Sequence, residues 1–280
     1  MKIVFSRKGF DGVAGGVPSP IISGRPLSFP IPTTLQHTRF SDLREPVFQL
    51  VCDLTRGRIN GDAFCHLDPD IDAAVTKGSR PIGWRGALGQ VGKAQSHLRN
   101  RGVGPGDLFL FFGLFQEVER QAGCWRYLGK PQHAIFGWLQ VAEVVSVADD
   151  AKGIRTKHPW LSDHAHLRDG WETFGVSPKV LQNTVYIAEE RLSLLPSSNL
   201  PGFGTLEEAY ILTASESKMK SVWRIPDWLN PHRGGTGLTF HSSNRYSNDL
   251  LATVGRGQEF VADIGEKVEP LGWLQSILAL

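Results

Sequence analysis

The sequence predicts an α+β fold: a curved or closed, mostly antiparallel β-sheet with flanking helices. Three observations predict it. Short apolar runs of strand length recur along the chain and are bounded by glycine and proline. Helical stripes are few and fall between those runs. Strand and helix do not alternate in the rhythm that builds a parallel sheet, and neither an internal repeat nor a low-complexity tract is present.

The opening MKIVF reads as a short buried strand. SRKGFDGVAGGVPSP, residues 6–20, follows it, and residues 10–46 are rich in glycine, proline and serine, which predicts extended loop and short strand. A helix is marked by Leu88, Val91, Ala94 and Leu98, spaced by three and four, and stopped by Gly102, Gly104, Pro105 and Gly106. Two strands are expected next, DLFLFF at 107–112 and AIFGWLQVAEVVSV at 134–147, with a polar excursion between them. TVYIA at 184–188, GLTFH at 237–241 and FVADI at 260–264 are further strand candidates, and helices are expected at 206–212 and 271–280.

A chain of 280 residues suffices for one large domain or two small ones. The hydrophobic share of 41% and charged share of 21% are ordinary for a soluble globular protein. A net charge of +2 leaves any attraction to nucleic acid to a local patch. Cys52, Cys65 and Cys124 cannot form a full disulfide set, and with no leader-like start the expected location is a reducing cytoplasm. The most apolar run, LFLFFGLF at 108–115, falls far short of the roughly 20 residues a bilayer span needs, so no membrane contact is expected.

The loop after the first strand does not fit a phosphate cradle. Lys8 precedes the glycines, Pro18 and Pro20 forbid a helix directly afterwards, and GxGxxG is absent. What remains is a turn that mounts Arg7, Lys8 and Asp11 beyond a strand end, either as functional side chains or as a solvated bend. Residues 73–106 hold Lys77, Arg80, Arg85, Lys93, Arg99 and Arg101 and no acid, which suits a polyanion or forms a solvated helical face. Gln90, Gln95, Ser96, His97 and Asn100 add groups able to bond phosphate or base edges.

In HPWLSDHAH, His164 and His166 fall on one face of an extended segment and could share a metal, with His158 and Asp163 as further donors. The alternative is a set of surface histidines. In CHLDPDID, Asp68 and Asp70 suit metal or phosphate chemistry, or begin a turn. Eight tryptophans exceed the needs of a core this size, and Trp223 and Trp228 are the expected stacking platforms for a base. GRGQEFV, residues 255–261, is expected to expose Arg256 and Glu259 at a strand mouth, as an acid and a base near a cleft or as a charged turn.

PGDLFLFF followed by IFGWLQV at 135–141 resembles the core of the PUA-like superfamily, including ASCH and EVE domains, around residues 100–150. That resemblance implies a small β-barrel whose cleft accepts a nucleobase, often a modified or flipped one. Over nearly the full chain, KIVFSRKGFDGVAGGVPSPI, LSFPIP, CHLDPDI, GALGQVGKAQSHL, GDLFLFFGLFQ and GRGQEFV resemble the third family of nucleotide-modification-associated domains. This second resemblance implies one domain over residues 1–280 and a role in DNA or nucleotide modification, in phage and bacterial systems, phage defence included, that handle unusual bases. It brings neither a reaction nor a cofactor with it. It nominates Ser6, Arg7, Lys8, Asp11, His66, Asp68, Asp70, Gln90, His97, Arg256 and Glu259.

The expected function is therefore binding of a nucleotide or modified base in a basic, aromatic-lined cleft, with catalysis left open. Its alternative is a non-catalytic reader of modified bases in DNA. For catalysis the candidates are Asp11, Asp68, His97 and Glu259. For nucleotide binding they are Ser6, Arg7, Lys8, Gln90, Lys93, Arg101, Trp223 and Arg256. The expected partners are DNA or a nucleotide and other enzymes of a base-modification pathway.

Overall fold

The computed structural model describes residues 1–34, 38–167, 182–255 and 257–278. The first third of the chain forms β1 (Lys2–Arg7), β2 (Ser19–Ile22), β3 (Arg25–Pro26), β4 (Ile31–Thr33), β5 (Thr38–Arg39), α1 (Val47–Leu54), β6 (Phe64–His66), β7 (Ala87–Gln90) and α2 (Gly92–Asn100). The long strands β8 (Leu108–Gln121) and β10 (Gln132–Ser146) flank β9 (Cys124–Tyr127), and α3 (Val147–Lys157) follows. Then come β11 (Thr184–Ala188), β12 (Phe203–Ile211), β13 (Val222–Arg224), β14 (Tyr246–Ser247), β15 (Leu250–Ala252), β16 (Glu259–Asp263) and α4 (Glu269–Leu278).

The main sheet is hydrogen-bonded in the order β16-β1-β8-β10-β11-β7, with β12 also on β10 and with β2 and β9 on β8. Its pairs are antiparallel except that β1 and β2 run parallel to β8. The architecture is mixed α+β, and the described strands do not close into a barrel, since β16 and β7 end the path and are not paired with each other. The two terminal strands meet through side chains instead: Gln90, at the end of β7, donates to Glu259, at the start of β16, over 2.6 Å.

Strand alternation decides which residues meet. On β8, Leu108, Leu110 and Phe112 enter one core, while Phe109, Phe111 and Phe115 enter the other. On β1, Ile3 and Phe5 join the first core and Val4 the second. Continuing that period puts Ser6 and Lys8 on the side of Val4, and Arg7 opposite. On β16, Phe260 and Ala262 face the first core and Val261 the second, so Glu259 shares the side of Val261. On β7, Leu88 faces the second core, and Gln90 is two residues on. Four polar residues from three strands are thereby aimed at one core.

Several elements differ from the sequence expectation. The polar excursion after residue 115 is a hairpin, in which β8 runs on to Gln121 and pairs with β9. Residues 206–212 lie mostly in strand β12, because antiparallel pairing with β10 outweighs the helical spacing of Leu206 and Tyr210. The helix expected from Leu88 starts at Gly92, since Leu88 is buried by the alternation of β7. Residues 237–241 form turns, with Gly237 and Phe240 at φ 67° and 68°. Helices α1 and α3 had no expected counterpart. Among the described residues no helix is long and apolar enough to cross a membrane.

Candidate functional site

Asp68, on the loop after β6, meets the polar residues of β1, β7 and β16. Lys8 Nζ lies 3.6 Å from Asp68 Oδ2 and 3.8 Å from Glu259 Oε1. These side chains are only 7%, 6% and 1% exposed. Glu259 Oε1 also accepts from Ser6 Oγ (3.0 Å) and Gln90 Nε2 (2.6 Å), whereas Oε2 has no hydrogen-bond partner among the described residues. Asp68 Oδ1 accepts the Gly89 amide at 2.6 Å. His164 Nε2 and His166 Nε2 stand 3.9 and 3.8 Å from the two oxygens of Asp68. His66 meets His166 edge to face at 5.3 Å between ring centroids. His66, Asp68 and His166 together present metal-ligand atoms within 4.8 Å of one another.

His166 has a fixed orientation. Asn183 Nδ2 donates to the His166 carbonyl (2.8 Å), which leaves the Asn183 oxygen facing His166 Nδ1 at 2.7 Å. An amide oxygen only accepts, so Nδ1 carries the hydrogen and Nε2 offers its lone pair on the side of Asp68. The ring can stand there because residue 89 is glycine: a Cβ at that position would lie 2.0 Å from His166 Cδ2.

The two carboxylates are pushed apart. Burial raises the Asp68 pKa, but Lys8 and then the imidazoles of His166, His66 and His164 outweigh it and hold it at about 2. Burial also raises Glu259, and there Lys8, Ser6 and Gln90 offset only part of the effect, so its pKa stays above the usual value. Burial lowers both His164 and His166 to about 4 against the opposing pull of Asp68, which keeps the rings neutral near pH 7.

Asp70 opens onto a neighbouring cavity. Its carboxylate binds both terminal nitrogens of Arg80, one of them at 3.0 Å, and accepts from Trp84 Nε1 at 3.2 Å. The Arg80 guanidinium lies 4.6 Å over the Trp84 ring. Arg80, Trp84, Trp160, Asp163 and His164 line a cavity of about 170 Å³. A cavity of roughly 150 Å³ holds benzene, so this one is sized for a single six-membered ring. His164 belongs both to its wall and to the buried cluster. A second cavity, about 70 Å³, touches Asp68 and Gly9 and is too small for a ring.

Of the expected site residues, Ser6, Lys8, His66, Asp68, Gln90, Glu259, His164 and His166 come together, Asp70 faces the neighbouring cavity, and the others do not join them. Arg7 reaches the Gly255 carbonyl, 3.5 Å away. Asp11 caps its own turn, accepting the Val13 and Ala14 amides at 2.7 Å. His97 pairs with Thr239 Oγ1 at 3.0 Å and lies against Phe240. Lys93 and Arg101 are exposed, one within α2 and one capping it. Trp223 is 1% exposed, packs on Phe5 and Phe112 and donates to His133 Nδ1, so it has no face for stacking. Trp228 is likewise buried. His158 pairs with Glu143 at 3.2 Å. Arg256 lies outside the described residues.

Two environments are also corrected: Glu259 is buried and not exposed at a strand mouth, and His164 and His166 are interior and not surface histidines. Sequence reasoning passed over Arg80 and the pair Trp84 and Trp160 as the cavity walls, although the tryptophan surplus and the basic stretch contain them. Asn183 carried no local signal.

Fold and site define an α+β protein with a sealed cluster of acids, bases and imidazoles beside a ring-sized aromatic cavity. The chain belongs to the family described as nucleotide modification associated domain 3, whose model matches residues 2–263. That description associates the chain with nucleotide modification. No curated protein and no solved structure matches it.

Proposed function

We propose that this protein is the component of a DNA-base modification system that takes a nucleobase in the cavity lined by Trp84 and Trp160 and moves a proton on it. The observation that carries this reading is the buried cluster of Lys8, Asp68 and Glu259 next to a cavity of ring size. A continuous run of contacts joins the two: His164 on the cavity wall, then Asp68, Lys8 and Glu259. Neighbouring carboxylates with opposite shifts divide acid and base roles between them. Asp68 stays ionised and anchors the charge, while Glu259, with one oxygen held by Ser6 and Gln90 and one unpartnered, takes and returns the proton. Stacking on tryptophan contributes about 1–3 kcal/mol per base. Lys93 and Arg101, exposed on α2, are the cations offered to phosphates, and the chain works as a single domain.

The test is mass spectrometry of nucleosides from the DNA of cells carrying the wild-type gene, Glu259→Gln, Asp68→Asn or no gene. The expected modified nucleoside appears with the wild type alone. Nucleoside profiles unchanged by both substitutions would sink the catalytic role. They would favour a PUA-like reader of modified bases, a reading supported by the same cavity, because two tryptophans and an arginine can hold a base without chemistry.

A further inference from the structure

We infer that His66, Asp68 and His166 form a binding site for a divalent first-row transition-metal ion, an inference that stands whichever base or nucleotide the protein acts on. Three independent features support it. The first is distance: donors held 2.0–2.2 Å from a tetrahedral ion lie about 3.4 Å apart. Asp68 Oδ2 and His166 Nε2 are 3.8 Å apart, and the three ligand atoms all fall within 4.8 Å, so shifts of a few tenths of an ångström to about one ångström assemble the site.

The second feature is support around the ligands. Metal-binding imidazoles commonly donate their other ring N–H to an oxygen, which fixes the tautomer, and metal-binding carboxylates are hydrogen-bonded in turn. Asn183 does this for His166 through Nδ1, and the Gly89 amide does it for Asp68. His164 reinforces the arrangement: its Nδ1 accepts the His166 amide at 3.2 Å, so its hydrogen is on Nε2, directed at the side of Asp68.

The third feature is an unsatisfied centre. Glu259 Oε2 is a buried carboxylate oxygen with no hydrogen-bond partner among the described residues, and Lys8 stands between Glu259 and Asp68. With Lys8 retained by Glu259, a cation at Asp68 compensates the second carboxylate.

Two imidazole nitrogens and one carboxylate oxygen suit zinc, iron, cobalt, nickel or manganese better than magnesium or calcium, which prefer oxygen alone. Three protein ligands leave positions open for water or substrate, the pattern of a catalytic ion and not a structural one. The sequence pattern HPWLSDHAH suggested His158 as a companion ligand, but His158 is held by Glu143. The third ligand comes from His66, a hundred positions before His166.

The experiment is titration of the purified full chain with Co²⁺, read by visible d–d absorption, which needs no substrate and so is independent of the base-modification assay. The expected result is one saturable equivalent per chain with the wild type, and at least a hundredfold loss of affinity in His66→Gln and in His166→Gln. His158→Gln should bind as the wild type does. His66 is only half-buried, so His66→Gln remains informative even where His166→Gln fails to fold, as checked by near-ultraviolet circular dichroism. No saturable band in the folded wild type, or wild-type affinity in folded His66→Gln, overturns the site.

Discussion

Lys8→Met removes the one cation placed between two buried carboxylates, and its cost can be worked from the geometry. At an effective dielectric constant of about 20, charges 3.6 and 3.8 Å apart attract by about 4–5 kcal/mol per pair, much of it cancelled by desolvation. Removing one partner restores none of that desolvation. It leaves Asp68 and Glu259 buried and uncompensated, and breaking a buried pair in this way costs about 3–5 kcal/mol. At about 2–4 °C per kcal/mol for a chain of this size class, Tm should fall by about 6–20 °C.

Glu259→Gln keeps an oxygen for Ser6 and Gln90 to bond while removing the charge, so in the Lys8→Met background it should recover at least about 1 kcal/mol. Urea denaturation of the wild type, both single variants and the double variant near pH 7 gives the coupling energy. Glu259 has a raised folded pKa, and loss of Lys8 raises it further, so the folded variant holds a proton that the unfolded chain has released. Its stability deficit should therefore shrink as pH falls and grow as pH rises through that pKa. A Lys8→Met cost below about 1 kcal/mol, or additive costs in the cycle, refutes the reasoning.

Three further outcomes are expected. Gly89→Ala puts a Cβ 2.0 Å from His166 Cδ2, so the ring must leave Asn183; overpacking of this kind costs about 1–3 kcal/mol, and Co²⁺ binding should fail with it. Unchanged urea midpoints and unchanged Co²⁺ affinity would reject that packing. His133 Nδ1 accepts from Trp223 Nε1 and must stay bare, and burial, with Lys220 and Arg7, holds its pKa at about 4. The unfolded chain therefore takes up a proton first, and stability should drop by up to about 3 kcal/mol from this group as pH falls from about 6.5 through 4. His133→Gln should remove that share of the fall and leave the part due to His164 and His166, and an unaltered pH profile of urea midpoints would contradict it. Trp84→Ala should weaken nucleotide binding about five- to a hundredfold in a fluorescence titration, from stacking worth about 1–3 kcal/mol, whereas Trp223→Ala should instead cost about 3–5 kcal/mol of stability. Equal affinity in Trp84→Ala and wild type would remove the cavity from consideration.

What the sequence made legible was carried by local period and composition. The apolar runs MKIVF and LFLFFGLF mark two of the strands, and Ser6 and Lys8 follow directly on the first, whereas Gln90 fell within the expected helix and Glu259 was expected exposed. Which of two neighbours joins the site was not legible. Arg7 and Lys8 have the same charge, and only the face of β1 separates the cation that meets Asp68 from the one that reaches Gly255. Trp84 and Trp223 have the same chemistry, yet packing by Phe5, Phe112 and Phe260 closes one while the other walls a cavity. Strand β12 was hidden for a related reason: its pairing with β10 is a long-range fact that a helical spacing cannot reveal.

The position of the cluster follows from the way the sheet ends. β16 and β7 are the two termini of the hydrogen-bonded path, and backbone pairing between them would have sealed the seam. Side chains bridge it instead through Gln90 and Glu259, and a seam bridged by side chains has room for Asp68 and three imidazoles beside it. As a device for stability this is poor: a buried ion pair replaced by well-packed apolar residues is commonly neutral or favourable. An unmade bond at Glu259 Oε2 costs a further 1–3 kcal/mol or so. Those costs fall on the same few atoms that a proton, an ion or a base edge would satisfy. The seam is thus a part of the molecule whose free energy improves when something binds, and that is the physical ground for proposing the function there.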